Sequence, residues 1–232
     1  MQVTEAIILA GGLGTRLREA VPDLPKCMAP VNGHPFIAYV IKHLAKQGIE
    51  RFIFSLGYRS EAFTDFLVSA LPEANYTIVI EQEPLGTGGA IQYAAHSAET
   101  ENLVVVNGDS IFTTDIPAQA AFHDSHSADC TLALKAMENF SRYGVVEMNA
   151  DGSIALFKEK QWYEKGLING GVYIVNRSLF AKHSFPDKFS FETDYLQQYH
   201  TSGKIYGIVQ EGYFIDIGIP EDYQRAQTEL AF

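Results

Sequence analysis

The chain has 232 residues, of which 47% are hydrophobic and 19% are charged. This length and balance predict one large folded domain, or one domain with an insertion, and exclude a disordered or collagen-like chain. Acidic residues outnumber basic residues by 28 to 17, and the net charge of −11 disfavours binding to nucleic acid or to an anionic membrane. An anionic small substrate would therefore need a local basic site.

The cysteines and the first apolar run predict a cytoplasmic protein. Cys27 and Cys130 lie far apart in sequence, and no zinc-type Cys/His spacing surrounds them, so we expect two free thiols in a reducing compartment. The apolar run at residues 6–10 follows Glu5 and is too short for the core of a signal peptide or for a membrane span.

The first half of the chain alternates strand and helix patterns. The apolar run at residues 6–10 ends at two glycines and is typical of a strand buried on both faces. Alternation of this kind predicts a parallel sheet with helices on both faces and ligands bound beyond the carboxyl ends of the strands. Strands are predicted at residues 6–10, 52–56, 76–80 and 103–106, and helices at residues 35–47, 60–70 and 87–98.

Three glycine-containing segments, at residues 11–26, 81–89 and 108–109, all fall at such strand ends. The second half is less regular and has short predicted strands joined by turns. No linker or repeat separates the halves, so we predict a single domain over residues 1–232, with one half at 1–115 and the other at 116–232. The strands predicted in the second half are at residues 130–136, 144–148, 154–157, 171–175, 205–209 and 213–217, and Pro220 opens a final helix.

The glycine-rich segment at residues 11–16 is a candidate phosphate loop. It lacks the Gly-Lys-Ser/Thr of a Walker loop, and Leu17 stands where a dinucleotide fingerprint needs a third small residue. Arg16 within the segment and Lys26 soon after it would suit a polyphosphate. The alternatives are an ordinary tight turn and a solvated pair of cations.

The segments at residues 9–17, 25–26 and 29–31 resemble the N-terminal segment of the sugar-1-phosphate nucleotidyltransferases. The resemblance continues in order through nearly the whole chain. Within that family, the chain is most similar to the D-glycero-α-D-manno-heptose-1-phosphate guanylyltransferases, because of residues 166–171 and 189–192 and the absence of a C-terminal hexapeptide repeat. Cys27 and Phe214 depart from the usual Pro and Trp. The matching segments are residues 9–17, 25–26, 29–31, 83–90, 107–109, 143–146, 159–160, 169–173 and 216–223.

The resemblance implies an α/β fold, with a Rossmann-like, mixed and mainly parallel sheet sandwiched by helices. It also implies that a sugar 1-phosphate attacks the α-phosphorus of GTP in line and that pyrophosphate leaves. The attacking phosphate is already ionised at neutral pH, so no general base is needed, and positioning and charge stabilisation would supply the catalysis.

The resemblance assigns catalytic roles to three cations. Arg16, with the loop amides, would hold the β- and γ-phosphates; Lys26 would bridge the α-phosphate and the incoming phosphate; and Lys160 would pair with the sugar phosphate. Glu81 would read the guanine edge, because it stands three positions before Pro84; the alternative is that Glu81 faces solvent and Gln82 or Glu83 reads the base. The expected GTP contacts are Leu9, Gly11, Gly12, Gly14, Thr15, Glu81, Gly86, Thr87 and Gly108.

Two aspartates that end separate apolar segments are candidate ligands of a Mg²⁺ ion that bridges the phosphates. Mg²⁺ takes few protein carboxylates and several substrate oxygens, which suits Asp109 and Asp216. The alternatives are a turn-forming Asp109 and a helix-capping Asp216. Asp115, which follows soon after, is better explained as the start of a helix.

The resemblance places the sugar hydroxyls against the second half of the chain. Carboxylate and amide side chains suit vicinal diols, and Trp162 and Tyr163 could wall the pocket. The predicted sugar contacts are the amide of Gly144 and the side chains of Glu159, Asn169 and Glu192. His123, Asp124 and His126 lack metal-ligand spacing and are not expected to bind a metal.

The leading hypothesis is a Mg²⁺-dependent guanylyltransferase that uses GTP and a heptose 1-phosphate and feeds surface-glycan synthesis. A mannose-1-phosphate guanylyltransferase, or an enzyme that uses another base, is a related alternative. A non-catalytic nucleotide-sugar sensor on the same fold is an alternative of another class. Intact Lys26, Asp109 and Asp216 favour an enzyme. The sequence leaves the oligomeric state open.

Overall fold

The computed structural model describes residues 2–12, 21, 24–57, 61–70, 75–202 and 204–232. The strands are β1 (Glu5–Leu9), β2 (Pro30–Val31), β3 (His34–Pro35), β4 (Arg51–Leu56), β5 (Asn75–Ile80), β6 (Asn102–Asn107), β7 (Ser110–Phe112), β8 (Cys130–Phe140), β9 (Val146–Met148), β10 (Ile154–Phe157), β11 (Tyr163–Asn176), β12 (Ile205–Val209) and β13 (Phe214–Asp216). The α-helices are α1 (Phe36–Lys46), α2 (Glu61–Ala70), α3 (Gly86–Ala95), α4 (Ile116–Ser125), α5 (Leu179–Lys182), α6 (Gln197–Tyr199) and α7 (Pro220–Glu229). Short 3₁₀ turns lie at Lys26–Met28 and His200–Ser202, and a π-helix lies at Phe191–Leu196.

Among these residues, the central sheet has seven strands in the order β12-β8-β11-β6-β1-β4-β5. The pairs β6–β1, β1–β4, β4–β5 and β12–β8 are parallel, whereas β11 runs antiparallel to both of its neighbours. The predicted mixed, mainly parallel sheet is therefore confirmed. The two sequence halves share it, since β6 of the first half pairs with β11 of the second.

Hydrophobic clusters cover both faces of the sheet, as the apolar run of β1 predicted. Ala6 and Ile8 pack in one cluster with Ile37 of α1, while Ile7 packs in the other with Ile91 of α3. Burying side chains of this size contributes about 1.5–3 kcal/mol each, so β1 anchors both layers. No helix in the described ranges is long and apolar enough to cross a bilayer.

The carboxyl ends of three parallel strands meet at one edge of the sheet. In the register of the sheet, Leu9 of β1 lies opposite Ser55 of β4 and Asn107 of β6. Gly108 continues from β6, and its amide donates to the Leu9 carbonyl at 2.8 Å. A Cβ at Gly108 would lie 3.0 Å from that same oxygen, so the glycine allows the turn after β6 to approach β1.

The second half differs from its predicted pattern in several places. The strand predicted at residues 171–175 is the end of the much longer β11, which is irregular between Asn169 and Tyr173. Gly171 adopts a φ of +72° there, next to Asn107. The strand predicted at residues 213–217 shortens to β13 and pairs with β7, which the sequence pattern did not predict. The π-helix was not predicted either.

Candidate active site

A cavity of about 860 Å³ opens at the carboxyl edge formed by β1, β4 and β6. This is the position at which an α/β sheet of this kind binds ligands. Residues from each of the three predicted glycine-containing segments contribute to its wall. The residues predicted for the site that line it are Leu9, Gly11, Gly12, Lys26, Glu81, Gly86, Thr87, Asp109 and Asp216. Gly14, Thr15 and Arg16 lie outside the described residues.

Lys26, Asp109 and Asp216 form a charged cluster in this wall. Lys26 Nζ donates to Asp109 Oδ2 at 2.7 Å and to Asp216 Oδ1 at 3.2 Å. The Lys26 side chain is 13% exposed, and those of Asp109 and Asp216 are 40% and 24% exposed. Asp109 and Asp216 both line the cavity, so both carboxylates border the space that a bound cation would enter.

The small sheet of β7 and β13 brings the two aspartates together across the chain. Asp216 pairs with Ser110 in this sheet, and the amide of Ile217 donates to the Asp109 carbonyl at 3.1 Å. Gly218 completes the turn: its amide donates to Asp216 Oδ1 at 2.8 Å. A Cβ at Gly218 would lie 3.0 Å from Lys26 Nζ, so a glycine here lets the ammonium reach the carboxylates.

The cluster suits a divalent cation with oxygen ligands. Its carboxylates come close enough to one point for a single ammonium nitrogen to contact both, so a cation already fits between them. Within the described residues, no group of three or more His, Cys, Asp or Glu side chains could hold a metal. Two carboxylates with room for substrate oxygens are the donor set that Mg²⁺ favours.

Arg142 and Tyr143 hold the other oxygen of Asp216. Arg142 Nη2 donates to Asp216 Oδ2 at 3.3 Å, and the Tyr143 hydroxyl lies 3.5 Å from the same atom. Arg142 also pairs with the buried Asp222 of α7, which Arg225 contacts at 2.8 Å. Burial opposes the charge on Arg142, but its hydrogen bond to Asp222 and the negative charges of Asp222 and Asp216 together outweigh burial, so the pKa of Arg142 is raised.

Glu81 lies at the end of β5, in the cavity wall. Its Oε1 accepts from the Ser55 hydroxyl at 3.1 Å, and its Oε2 accepts from the Leu85 amide at 3.1 Å. The predicted base-reading carboxylate is therefore held by the protein at both oxygens. The neighbouring Gln82 also lines the cavity but is exposed.

The glycines that begin α3 are packing positions as well as parts of the cavity wall. The amides of Gly88 and Gly89 donate to the Phe189 carbonyl at 3.0 and 3.3 Å. A Cβ at Gly88 would lie 2.2 Å from the Phe189 ring. Thr87 Oγ1 accepts from the Phe191 amide at 2.9 Å. The motif at residues 86–89 thus docks the segment before the π-helix against the wall.

Residues predicted to contact the sugar lie in two groups outside the lining of this cavity. Asn169 Nδ2 donates to the Tyr173 hydroxyl at 2.8 Å. The ring of Tyr173 also packs against that of Phe191, the residue before Glu192, with the ring centroids 5.3 Å apart. Asn169 and Glu192 therefore share one neighbourhood.

Gly144, Glu159 and Lys160 form the second group, on the connections that flank β9 and β10. A Cβ at Gly144 would lie 2.3 Å from the Lys158 carbonyl, so this glycine lets the segment before Glu159 pack closely. Glu159 and Lys160 are both exposed. The Tyr163 hydroxyl donates to the Glu159 carbonyl at 3.0 Å and so holds the backbone at Glu159. Trp162 beside them is 64% exposed.

The remaining candidates have structural roles. His123 is buried, and its ring nitrogens lie 2.9 Å from Thr131 Oγ1 and 3.2 Å from Asn102 Oδ1. Burial lowers the pKa of His123 to about 4, so it is neutral at pH 7. Asp115 accepts from the Ala118 amide at 2.8 Å and caps α4, as its position before Pro117 predicted. Cys27 and Cys130 are buried, free thiols.

Sequence reasoning missed several residues that build the site. Asn107 lines the cavity at the end of β6, Ser55 holds Glu81, and Arg142 with Asp222 holds Asp216. Asn107 carried a signal, because it ends a predicted strand beside Asp109. Ser55 carried a weaker one, as a polar residue within an apolar strand. The pairing of Arg142 with Asp222 joins residues 80 positions apart and left no local signal.

The whole chain is similar to proteins of known activity. A D-glycero-alpha-D-manno-heptose 1-phosphate guanylyltransferase of Aneurinibacillus thermoaerophilus is 48% identical over 97% of this chain and 98% of that protein. The enzyme of the same name from Campylobacter jejuni is 40% identical over 94% of this chain and 96% of that protein. A mannose-1-phosphate guanylyltransferase of Mycobacterium tuberculosis is 32% identical over 97% of this chain but only 64% of that protein.

Solved structures and a family model agree with these relatives. The crystal structure of HddC from Yersinia pseudotuberculosis complexed with GMP-PN has a TM-score of 0.84 and 35% identity, over 98% of this chain and 99% of that chain. A family model described as nucleotidyl transferase matches residues 5–231. The match covers all of the described elements that build the cavity, and the chain belongs to the nucleotidyl transferase family.

Proposed function

We propose that this protein transfers a guanylyl group from GTP to D-glycero-α-D-manno-heptose 1-phosphate, forming GDP-heptose and releasing pyrophosphate. The observation that carries the proposal is the cluster of Lys26, Asp109 and Asp216 in a cavity at the carboxyl edge of the sheet. Relatives that match nearly the whole chain at 48% and 40% identity act on this sugar phosphate by name, which supports the choice of substrate.

Transfer to mannose 1-phosphate is the second candidate. The mannose-1-phosphate guanylyltransferase of M. tuberculosis is less similar, and the chain spans 64% of its length. The heptose 1-phosphate enzymes match in identity and in length, which favours the heptose. GDP-heptose made in the cytoplasm would then feed surface-glycan synthesis.

Charge placement explains how these residues would promote the reaction. Two phosphate groups repel each other as the nucleophile approaches the α-phosphorus, and fixed cations lower that repulsion. Lys26 lines the cavity, where its ammonium would contact both the α-phosphate and the incoming sugar phosphate. Arg16 and the loop amides would hold the departing pyrophosphate, and Lys160 would pair with the sugar phosphate.

Asp109 and Asp216 would hold a Mg²⁺ ion. When bound, such an ion neutralises phosphate charge and orients the oxygens of both substrates. The protein's own contribution is to fix the two carboxylates. The turn at Gly218 fixes Asp216 Oδ1, and Arg142 fixes Asp216 Oδ2.

Glu81 would supply the preference for guanine. Guanine presents two adjacent donors, N1–H and the 2-amino group, and a carboxylate presents two adjacent acceptors. Uracil and thymine present a single donor between two carbonyls, and adenine lacks the N1 donor. Hydrogen bonds to a charged group contribute about 1.5–3 kcal/mol each, so the preference for GTP should be on the order of tenfold to hundredfold.

Asn169, Glu192, Glu159 and the amide of Gly144 would contact the sugar hydroxyls. Asn169 belongs to β11, Glu192 to the π-helix, and Gly144 and Glu159 to the connections around β9 and β10. A non-catalytic sensor would need the nucleotide contacts but not a metal-binding pair beside a lysine. The close contact of Lys26 with both aspartates therefore favours an enzyme over a sensor.

A matrix of nucleoside triphosphates against sugar 1-phosphates, read by pyrophosphate release in Mg²⁺, tests the proposal. We expect the largest kcat/KM for GTP with the heptose 1-phosphate. Faster turnover of mannose 1-phosphate would select the second candidate. Faster turnover of UTP or dTTP would overturn the guanylyl assignment, and no turnover with any pair would favour the sensor.

A further inference from the structure

The Glu81 carboxylate lies against three separate parts of the molecule, which together are called its seat. Its Oε1 accepts from the Ser55 hydroxyl of β4, and its Oε2 accepts from the Leu85 amide just before α3, each at 3.1 Å. The third part is the glycine loop, since a Cβ at Gly11 would lie 2.8 Å from Oε1. A side chain at position 11 would thus displace this carboxylate.

This seat leaves a defined hydrogen-bonding capacity on Glu81. An ionised carboxylate has about four acceptor positions, two on each oxygen. Within the described part of the chain, the hydrogen bonds of the carboxylate use one position on Oε1 and one on Oε2. Those contacts leave one acceptor position on each oxygen of a residue that lines the cavity. Two adjacent free acceptors match the two adjacent donors of guanine.

Ser55 is the unexpected member of this seat. It is fully buried, whereas Glu81 is partly exposed. Its backbone is fixed as well, because the Ala10 amide donates to the Ser55 carbonyl at 2.9 Å. A buried hydroxyl on a fixed strand is a rigid donor, so it restricts the rotation of the Glu81 carboxylate.

We propose that Ser55 is a specificity-determining positioning residue that fixes Glu81 so that both carboxylate oxygens meet the guanine edge, while Gly11 leaves room for them. The inference rests on the proposed guanylyl transfer. It adds that base discrimination depends on a residue beneath the cavity wall, and it identifies the guanine 2-amino group as the feature that the seat discriminates.

Inosine triphosphate tests this directly, because hypoxanthine keeps N1–H and lacks the 2-amino group. In the wild-type protein we expect kcat/KM for GTP to exceed that for ITP by about 10- to 100-fold. In Ser55→Ala the carboxylate can rotate, so the GTP:ITP ratio should fall by about three- to tenfold, mainly through the KM for GTP. Ser55→Cys, which keeps the size of the side chain but donates weakly, should lower the ratio in the same direction and covers any failure of the alanine variant to fold.

A double-mutant cycle separates positioning from a merely structural role. If Ser55 acts through Glu81, Ser55→Ala should change the GTP:ITP ratio little in a Glu81→Gln background. Thr131→Val is the matched control, because it removes another fully buried strand hydroxyl, whose partner is His123 and not a cavity residue. It should lower thermal stability without changing the ratio.

The inference and the proposed function can fail separately. A wild-type protein that prefers UTP, dTTP or ATP to GTP would overturn the guanylyl assignment itself. A wild-type protein that prefers GTP, together with an unchanged GTP:ITP ratio in both Ser55 variants, would overturn the role of Ser55 alone. Equal losses for GTP and ITP, with a lower melting temperature, would also overturn it, because they would show a structural role.

Discussion

Strand β1 has a carboxylate–cation network at each end, and the two networks differ in how fully their charges are satisfied. At its start, Glu5 pairs with Arg51 and also accepts from the Thr100 hydroxyl at 2.6 Å and from the Glu99 amide at 2.9 Å. The Glu5 side chain is 3% exposed. Beyond its end, Asp109 is 40% exposed and contacts Lys26 in the wall of a large cavity.

The difference separates charge used for stability from charge available for binding. Burial pushes the pKa of Glu5 upward, but hydrogen bonds from Thr100, Arg51 and Glu99 outweigh it, so the pKa of Glu5 is lowered. A carboxylate satisfied in this way has little capacity left for a ligand. Asp109 has Lys26 as its charged partner among the described residues and borders the cavity, so its charge remains available to a cation. Asp216 also lines the cavity, but its second oxygen contacts Arg142.

The largest expected effect is the loss of turnover in Asp109→Asn and Asp216→Asn. An amide is nearly isosteric with a carboxylate but brings no negative charge to a metal ion, so we expect kcat/KM to fall on the order of 1000-fold. The fold should survive, because the amide keeps the shape of the side chain and neither carboxylate is fully buried. Pyrophosphate release at saturating Mg²⁺ measures the first effect. Normal release by either variant would remove that residue from the metal site.

The opposite result is expected at the other end of β1. Glu5→Gln should lower the free energy of unfolding at pH 7 by about 3 kcal/mol, because it leaves Arg51 with a weaker partner in a buried network. The kcat/KM of the folded protein should not change, since the network lies away from the cavity. Urea unfolding and steady-state kinetics on the same sample test both statements.

The pH dependence of Glu5 sharpens this contrast. Its folded-state pKa lies below the ordinary value of 4.5, so its stabilisation is fully present above that pH. The stabilisation is lost as pH falls through the lowered folded-state value. The stability difference between the wild type and Glu5→Gln should therefore shrink below about pH 4.5. A constant difference down to pH 3 would contradict the assignment.

The position of the site could be predicted from the sequence because it follows from chain topology. The strand ending at Leu9 and the strand ending at Asn107 are both short apolar runs followed by glycines, and parallel strands bring their carboxyl ends together. That rule places Asp109 next to the glycine loop without any knowledge of side-chain contacts. Lys26 was predicted as a cation close after the glycine loop and Asp216 as a carboxylate in an apolar segment, and the structure brings both together with Asp109.

The rest of the site depends on contacts that no local pattern encodes. β7 and β13 have three residues each, too few for a recognisable period, and they pair across more than a hundred positions of sequence. Arg142 lies in an ordinary turn, and Asp222 satisfies the usual preference for acids at the start of a helix, so neither residue indicates the other. The glycines at residues 86–89 suggested a nucleotide contact, and their close packing against Phe189 became visible only in three dimensions.

Lys26→Ala removes the ammonium group that Asp109 and Asp216 share. We expect kcat to fall by about 100-fold and GTP affinity by much less, because the ammonium matters most when two phosphates converge. The variant should also bind Mn²⁺ more tightly in the absence of nucleotide, since the ammonium no longer occupies the space between the carboxylates. Rapid-quench kinetics and Mn²⁺ titration by electron paramagnetic resonance measure the two effects.

Lys46→Ala, on the exposed end of α1, is the control for loss of a positive charge. Equal losses in GTP binding and in kcat/KM would indicate uniform binding instead.

The smallest expected effect is at Arg142, which donates a hydrogen bond to one carboxylate oxygen of Asp216. One oxygen of Asp216 contacts Lys26 in the cavity wall, and the other contacts Arg142, which also pairs with the buried Asp222. Arg142→Gln should reduce kcat/KM by about three- to tenfold and stability by about 1 kcal/mol, because Asp216 loses an orienting donor and Asp222 loses one of its two arginines. Arg225→Gln removes the other arginine, which is 52% exposed, and should change stability by less than about 0.5 kcal/mol with no change in turnover. If Arg142→Gln instead lost stability but kept full activity, turnover would not depend on the contact between Arg142 and Asp216. The Arg142 network would then serve stability, as the network at Glu5 does.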